Sequence, residues 1–389
     1  MNLESIQREL QRTGIDGWLF FDHHGKDPLA YQVLGLKPSL HATRRWYYFI
    51  PARGEPRGLV HRVEPAMLNS LPGNKIPYSR WQEQEKGLRE LLGGAKKVAM
   101  QYSPNCAVPY VANVDAGTIE QVRSLGTEVV SSAELIQLFE ARWTPPMLEM
   151  HIEAGRRVDR IRAETFDFVR EATRAGHPID EYAIQQFVMK RFSESGLVTD
   201  FPPIVGVNVN AADPHYCPAQ SGSAQVRRGD LLLLDLWAKL DDPDGVYYDI
   251  TWMAFCGDKP SARMIEVFDI DMGARDAGVR LVQEAVASGR KLHGFEVDDA
   301  VRGYIEARGL GGCIKHRTGH SIGREVHGVG ANMDNMETHD ERTIIPWTCF
   351  SIEPSIYLPE FGVRTEINVF VDEHGARVTG EMQTGIVLL

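Results

Sequence analysis

A run of four leucines, residues 231–234, leads directly into Asp235, and this strand-like segment constrains the fold more than any other part of the sequence. A strand that is apolar on both faces is typical of a sheet covered on both sides, where a carboxylate has to be paired or bound to a metal ion. Three more strand-like segments carry an acid among apolar residues, namely Asp249, Glu353 and Glu366. A single acid of this kind can face solvent on a half-exposed sheet, but four gathered carboxylates would repel one another and become protonated. Two divalent cations would balance four negative charges, so the sequence favours a dinuclear metal site.

Histidines cluster in a glycine-rich segment, HRTGHSIGREVHGVG, that lies between these strands. The segment contains His316, His320 and His327, and a further histidine, His215, lies in the turn-like segment NAADPHYCP. A lone histidine is more often a packed or surface residue than a metal ligand, but three so close together favour a functional site. One imidazole with several carboxylates is an oxygen-rich ligand set, which suits Mn²⁺, Co²⁺ or Fe²⁺, with Zn²⁺ as an alternative, better than a thiolate site.

Length and composition exclude several classes of protein. A chain of 389 residues predicts two or three domains, because single cores stop growing near about 250–300 residues. An excess of 53 acidic over 42 basic side chains argues against non-specific binding to nucleic acid. The five cysteines are scattered and form no CxxC pair, which argues against a disulfide framework and indicates a reducing compartment. There is no apolar run near the ~20 residues of a membrane span and no signal-peptide pattern, so we expect a soluble, cytoplasmic protein.

The chain divides into two parts with different patterns. Residues 1 to about 140 alternate between strand and helix, which predicts a mixed sheet flanked by helices. A boundary is expected near Thr144, because threonine is a good N-cap and Pro145 is tolerated in a first turn. Beyond it we predict a long helix from Met147 to about Arg174 and two hairpins, 231–240 with 246–256 and 349–357 with 362–371. The apolar stripe of that helix is predicted to consist of Ile152, Val158, Ile161, Phe168 and Val169.

The acids, the histidine and their spacing resemble a known family. The order Asp235, Asp249, His320, Glu353, Glu366, with the patterns GHSIG-x3-H and EP-x11-E, is similar to metallopeptidase family M24, which includes proline aminopeptidases, prolidases and methionine aminopeptidases. The sizeable N-terminal part most resembles that of Xaa-Pro aminopeptidases and Xaa-Pro dipeptidases. The resemblance implies an α/β (α+β) protein with a creatinase/prolidase-like N-terminal domain over residues 1–143. Residues 144–389 would form a pita-bread catalytic domain with a curved antiparallel sheet.

The same resemblance implies a role for each site residue. Asp235 would bind one metal ion and His320 the other, while Asp249, Glu353 and Glu366 would bridge or chelate them. His215, His316 and His327 would contact the substrate or orient the ligands. Arg364 shares a strand face with Glu366, so we expect an arginine–carboxylate contact beside the metals. By the same alternation Thr251 shares a face with Asp249, and its hydroxyl is expected to orient that ligand.

The activity implied is metal-dependent hydrolysis of X–Pro bonds in small peptides, with two divalent ions, Mn²⁺ first among the alternatives. In this hypothesis a hydroxide that bridges the metals attacks the scissile carbonyl, and His327 donates to its oxygen. Glu353 carries a proton from the nucleophile to the leaving nitrogen. Relatives of this kind pair into homodimers, so the resemblance implies a homodimer here. The aromatic cluster Trp46–Phe49 is a candidate for such an interface, although a core strand is its simpler use.

Three positions depart from the family pattern, and they bear on the substrate. Trp237 stands where the relatives have glycine after the first aspartate, Trp252 replaces an arginine after the second, and Ser355 replaces the glycine of a Glu-Pro-Gly sequence. A non-peptidase enzyme on the same scaffold, either an amidohydrolase of the creatinase or ectoine-hydrolase type or a metal-dependent lyase, is therefore the alternative, as is a binding module without catalysis. The sequence also leaves open aminopeptidase against dipeptidase.

Overall fold

The strand-like segments of the N-terminal part pair into one mixed sheet in the computed structural model, which describes Met1–Leu389. The strands follow the order β4-β3-β2-β1-β5-β6; the β1–β2 and β2–β3 pairs are antiparallel, and the other three are parallel. Their bounds are β1 Gly17–Asp22, β2 Trp46–Pro51, β3 Arg57–His61, β4 Asn74–Tyr78, β5 Lys97–Met100 and β6 Glu128–Ser131.

Five helices accompany this sheet, and β1 and β2 are buried along their whole length. The helices are α1 Leu3–Thr13, α2 Pro28–Leu34, α3 Trp81–Leu92, α4 Ala116–Ser124 and α5 Ala133–Ile136. The aromatic residues of Trp46–Phe49 are at most 1% exposed, so they form core and do not lie on an interface surface. This first compact unit comprises Met1–Glu140 and the second Ala141–Leu389, a division close to the boundary predicted after residue 143.

The second unit opens with a long helix whose start follows from local chemistry. The helix α6 spans Pro145–Ala175, the Thr144 hydroxyl accepts a hydrogen bond from the Met147 N–H, and Gly176 ends it in the left-handed region at φ 69°. Its predicted stripe is wrong at one position, because Ile152 is 47% exposed and His151 is buried in its place. The other helices of this unit are α7 Glu181–Glu194, α8 Ala262–Ser288 and α9 Gly294–Glu306.

The strands of the second unit are β7 Leu197–Val198, β8 Ile204–Val207, β9 Leu231–Leu240, β10 Tyr248–Phe255, β11 Ser321–Ile322, β12 Thr348–Ile352, β13 Ser355–Tyr357, β14 Gly362–Arg364, β15 Ile367–Val371, β16 Ala376–Thr379 and β17 Val387–Leu388. They form two halves, and each half is covered by a pair of helices. The first half is a five-stranded sheet of β7, β8, β9, β10 and β17, antiparallel except for the parallel β10–β17 pair, and it packs against α6 and α7. The second half consists of the antiparallel sheet β11-β12-β15-β16 and the antiparallel pair β13–β14, and it packs against α8 and α9.

Side-chain amides join the two halves along β10. Asn368 binds the backbone N–H and the carbonyl of Asp249, and Gln383 does the same at Met253. Between them the Glu366 N–H donates to the Thr251 carbonyl at 3.1 Å. These bonds satisfy backbone N–H and carbonyl groups along the edge of β10 where no regular strand pairs with it. They also link the second half of the sheet to the first.

Both strands of the second predicted hairpin are interrupted. Segment 349–357 splits into β12 and β13 around Glu353 and Pro354, because proline has no N–H to donate to a ladder. Segment 362–371 splits into β14 and β15 at Thr365 and Glu366. Glu353 and Glu366 therefore lie at breaks and not within continuous strands as predicted. None of the helices in the chain is both long and apolar enough to cross a membrane.

Candidate metal centre

Strand register places the two aspartates on one face of the sheet. In the β9–β10 pair, Asp235 lies opposite Thr251 and Trp237 opposite Asp249. Since side chains alternate along a strand, Asp235, Trp237, Asp249 and Thr251 all project from the same face. Residues 231–236 are buried, as the apolar run predicted, so both carboxylates are withdrawn from water.

The two glutamates reach the same region from the strand breaks. The Glu353 N–H donates to the Thr318 carbonyl at 2.7 Å, and the Glu366 N–H donates to the Thr251 carbonyl, so each break is tied to a neighbouring segment. The break at Pro354 turns the chain while keeping Glu353 beside the glycine-rich loop. Glu353 and Glu366 thus join the face that carries the aspartates.

A close backbone approach positions His320. The His320 N–H donates to the Ser351 hydroxyl at 3.0 Å, and the Ser351 N–H donates to the His320 carbonyl at 2.8 Å. A Cβ at Gly319 would lie 2.0 Å from the Ser351 carbonyl oxygen, so glycine is required before the histidine. On the other side of the loop, buried Asp298 accepts the Thr318 N–H at 2.9 Å.

Three of the predicted ligands converge tightly. Ligand atoms of Asp249, His320 and Glu366 lie within 4.8 Å of one another, and all three residues are buried. The His320 Nε2 atom lies 3.5 Å from the Asp249 Oδ2 atom and 3.4 Å from the Glu353 Oε1 atom. Asp235 lies outside this tightest group but lines the same cavity.

The hydrogen-bonding role of each ring nitrogen of His320 shows that its Nε2 atom reaches the acids as an acceptor. The His320 Nδ1 atom lies 3.2 Å from the Ser321 carbonyl oxygen, which can only accept, so Nδ1 carries the proton. Burial, reinforced by His327 and Arg317, lowers the pKa of His320 well below its ordinary value, so the ring is neutral. Its bare Nε2 atom therefore brings no hydrogen of its own to the two carboxyl oxygens that it faces. A cation at this point would turn these three acceptor atoms into ligands.

The carboxylates themselves need compensation. Burial raises the pKa of Asp249 and of Glu366 well above the usual range, and neighbouring carboxylates raise both further. The pKa of Glu353 rises to about 7, chiefly through burial. One oxygen each of Asp235 and Asp249 is buried without a hydrogen-bond donor. This donor set fits divalent cations, which would restore the ionised form of each acid.

Arg364 and Thr251 connect the acids, and the prediction for Thr251 is wrong in its partner. Arg364 pairs with the Asp235 carboxylate, and its Nε atom donates to the Thr251 hydroxyl at 3.1 Å. Thr251 in turn donates to the Glu366 Oε2 atom at 2.8 Å instead of orienting Asp249. The expectation of an arginine–carboxylate contact holds, but the partner is across the sheet, because the strand break at Thr365 redirects the chain between Arg364 and Glu366.

The three additional histidines separate into two groups. His215 and His327 line the cavity with the acids, and the His327 ring centre lies 4.3 Å from that of His320. His316 does not line it. Its Nδ1 atom is 2.7 Å from the Arg317 carbonyl oxygen and therefore donates, so Nε2 accepts from the hydroxyls of Tyr357 at 2.8 Å and Ser355 at 2.9 Å. Burial lowers the pKa of His316 to about 3, so this ring is a neutral acceptor held behind the acids.

The cavity over the acids has a volume of about 460 Å³, within the range of small-molecule sites. The acids and histidines occupy one side of it. Its other walls are largely apolar, and they consist of Phe201, Pro202, Ile204, Pro214, Tyr216, Cys217, Trp237 and Val326. The arrangement combines a cation-binding group with space for a small, mostly uncharged molecule.

Sequence reasoning missed one buried acid that shapes this cavity. Glu181, fully buried at the start of α7, accepts hydrogen bonds from the backbone of Val207 and Ala224 and from the side chains of Asn210 and Tyr216. The Tyr216 hydroxyl lies 2.5 Å from its Oε2 atom. Glu181 thereby holds the segment that carries His215. Its position after the N-cap Asp180 resembles an ordinary first-turn acid, so the sequence offered no signal of its partners.

Comparison with known proteins agrees with this geometry. The profile described as metallopeptidase family M24 matches residues 149–373. The chain is 29% identical over 248 residues to an Xaa-Pro dipeptidase from Lactobacillus helveticus, covering 62% of this chain and 60% of that protein. It is 25% identical over 333 residues to a probable dipeptidase PepE from Mycobacterium tuberculosis, covering 84% and 81%.

Solved structures show the same fold along the whole chain. Dipeptidase PepE from Mycobacterium ulcerans superposes with a TM-score of 0.71 at 22% identity, covering 99% of this chain and 96% of the other. A prolidase from Thermococcus sibiricus gives a TM-score of 0.66 at 20% identity, covering 100% and 98%. The predicted α/β (α+β) class and pita-bread fold are confirmed. By its matched residues and its fold, this chain belongs to metallopeptidase family M24.

Proposed function

We propose that this metallopeptidase hydrolyses X–Pro bonds in short peptides, as an Xaa-Pro dipeptidase or aminopeptidase, with two divalent cations. One observation carries the metal assignment: the unprotonated Nε2 atom of His320 faces carboxylate oxygens of Asp249 and Glu353 at 3.5 and 3.4 Å. The oxygen-rich set favours Mn²⁺, with Co²⁺, Fe²⁺ and Zn²⁺ as alternatives. The X–Pro assignment is supported by the name of the Lactobacillus helveticus relative, of which the match spans 60%.

The proposed ligands are the five residues predicted from sequence: Asp235, Asp249, His320, Glu353 and Glu366. When bound, the two ions would lower the pKa of water toward neutrality and polarise the scissile carbonyl. The residues of the chain supply the rest. Arg364 and Thr251 fix the carboxylates of Asp235 and Glu366 by the bonds described above, so these groups do not reorganise during the reaction.

Two residues are proposed to act on the substrate. Burial lowers the pKa of His327 to about 4, so its ring is neutral near pH 7 and can donate one N–H to the carbonyl oxygen as charge builds there. Glu353, whose Oε1 atom lies 3.4 Å from the His320 Nε2 atom, is proposed to accept a proton from the nucleophile and return it to the leaving nitrogen. His215 lines the same cavity and is proposed to contact the substrate.

A panel of peptides tests this function. Protein loaded with Mn²⁺, Co²⁺ or Zn²⁺ is incubated with Ala-Pro, Ala-Pro-Ala and Ala-Ala, and the release of proline or of an N-terminal residue is measured. We expect cleavage of the X–Pro bond. Cleavage of Ala-Pro alone would indicate a dipeptidase, and cleavage of Ala-Pro-Ala would indicate an aminopeptidase. Glu353→Gln should lower kcat by at least about 100-fold while metal content is retained. Near-normal turnover of that variant would refute the proton transfer.

A second function is kept because Trp237 narrows the cavity. An amidohydrolase or lyase acting on a small non-peptide molecule would leave every X–Pro peptide intact although metal is bound. The homodimer is likewise a proposal, and sedimentation of the loaded protein measures it.

A further inference from the structure

The wall of the cavity nearest to Asp249 consists of a tryptophan. Trp237 pairs with Asp249 across the β9–β10 ladder, and directly opposed residues place their Cβ atoms about 4.5–5.5 Å apart. Its indole lines the same cavity as the acids. A substrate residue that occupies the space beside Asp249 therefore has to lie against this ring.

Packing holds that ring in place. Trp237 packs against a buried cluster that includes Tyr247, Val246 and Phe370, and its Nε1 atom is buried without a hydrogen-bond partner. The indole cannot swing aside without exposing this apolar surface, which makes it a fixed boundary and not a movable gate.

The rest of the wall limits the chemistry of the ligand. Phe201, Pro202, Ile204 and Val326 bring apolar surface to the cavity, and a charged side chain placed against them would lose its hydration without a partner. The guanidinium of Arg364 is already paired with Asp235. The carboxyl, imidazole and guanidinium groups provide the strong polar contacts in the cavity, and Tyr216 and Cys217 add one hydroxyl and one thiol.

We propose that Trp237 sets the upper size limit for the substrate residue bound beside Asp249, and so restricts the enzyme to short peptides with a small, uncharged residue there. This inference rests on the proposed function and names its substrate class. Trp237 is a specificity-determining residue in this account, since it excludes large side chains and takes no part in bond cleavage.

Two series of dipeptides test the size limit. In X-Pro the first residue is varied through Ala, Leu and Phe, and in Ala-X′ the second is varied in the same way, because either could lie beside Asp249. For wild type we expect kcat/KM to fall with size in one series. Trp237→Ala should raise the Phe-to-Ala ratio in that series by at least about 10-fold, the scale on which pocket size discriminates substrates. Trp237→Phe should give a smaller rise.

Trp252 provides a matched control. It is a second indole in this sheet, on the neighbouring strand β10, but it is buried and projects from the opposite face into the core, under the Arg162 guanidinium at 3.5 Å from the ring centre. Trp252→Phe should leave the ratio unchanged within twofold. If Trp237→Ala fails to fold, Trp237→Phe alone decides, and no rise in its ratio overturns the proposal.

Binding separates this proposal from the function itself. Calorimetric titration of metal-depleted protein with the same dipeptides reports size selectivity without turnover. If wild type cleaves no X–Pro peptide but Trp237→Ala shifts binding toward Phe by about 10-fold, the proposed function fails and the size limit stands. If both assays give the same size ratios for wild type and Trp237→Ala, or if wild type binds none of the dipeptides, the size limit is overturned.

Discussion

The buried imidazole of His151 should make the second compact unit, Ala141–Leu389, lose stability in mild acid. His151 is 0% exposed, its Nδ1 atom donates to the Tyr247 carbonyl at 2.7 Å, and its Nε2 atom accepts from the Thr379 hydroxyl at 2.7 Å. It therefore ties α6 to the segment before β10 and to the end of β16 as a neutral ring. Burial lowers its pKa from 6.5 to about 4, opposed only by the bond to Tyr247.

The sign and size follow from proton linkage. Between pH 6.5 and about 4 the unfolded chain binds a proton that the folded chain excludes, so stability is fully present above pH 6.5 and is lost as pH falls toward 4. At pH 5 the loss is about 2 kcal/mol, and it approaches about 3 kcal/mol at lower pH.

The matched variant is His151→Asn, which can keep a donor toward Tyr247 but cannot titrate. Native-state hydrogen exchange of the α6 and β10 amides, in metal-free protein at pH 8 and pH 5, gives the free energy of opening for this unit alone. We expect wild type to lose about 2 kcal/mol more than His151→Asn between the two pH values. His177→Asn, which removes an exposed histidine just beyond the same helix, should behave as wild type. An equal pH dependence in wild type and His151→Asn would contradict the reasoning.

Two further predictions concern buried acids behind the cavity. Glu181→Ala should raise KM for peptide substrates several-fold with a smaller effect on kcat, because it frees the segment that carries His215. Glu181→Gln keeps two of the acceptor contacts and should retain most of the activity. Thr365→Val removes the hydroxyl that donates to buried Asp271 at 2.7 Å, so urea unfolding should show a loss of about 1–3 kcal/mol, while Thr173→Val, which alters a helix-surface hydroxyl, should cost less.

Much of the fold was predictable because it depends on local patterns. The strand Leu231–Leu240 has the predicted bounds, the N-cap at Thr144 starts α6 as predicted, and the helix ends at Ala175, next to the predicted end near Arg174. The error at Ile152 was one of helical phase. Counting back seven residues from buried Val158 reaches His151, so the periodicity favoured the histidine, but hydrophobicity favoured its neighbour.

Contacts between distant segments were less predictable. Alternation assigned Thr251 and Arg364 to the correct faces, but it could not say which carboxylate each would meet. That depended on the breaks beside Pro354 and Thr365, which turn the strands and move the glutamates relative to the arginine. The four acids could be predicted because charge burial is unfavourable whatever the detailed geometry. Tyr357, Ser351 and Glu181 act through hydrogen bonds to particular partners, and such bonds leave no periodic signal in the sequence.

The raised pKa values at the centre imply that binding of metal releases protons. Burial raises the pKa values of Asp249 and Glu366 well above the usual range and that of Glu353 to about 7, so near neutral pH the metal-free site holds more protons than three exposed carboxyl groups would. A divalent cation favours the ionised carboxylates and displaces these protons. Titration of Mn²⁺ into metal-free protein, by calorimetry in two buffers of different ionisation enthalpy, counts the protons released. We expect more than one per chain at pH 6.5 and fewer at pH 8.5, because deprotonation of Glu353 is complete at the higher pH. Metal uptake with no proton release at pH 6.5 would mean that the acids are already ionised in the metal-free protein. The protein would then tolerate their mutual repulsion without a cation, and the charge argument that predicts the metal site would be refuted.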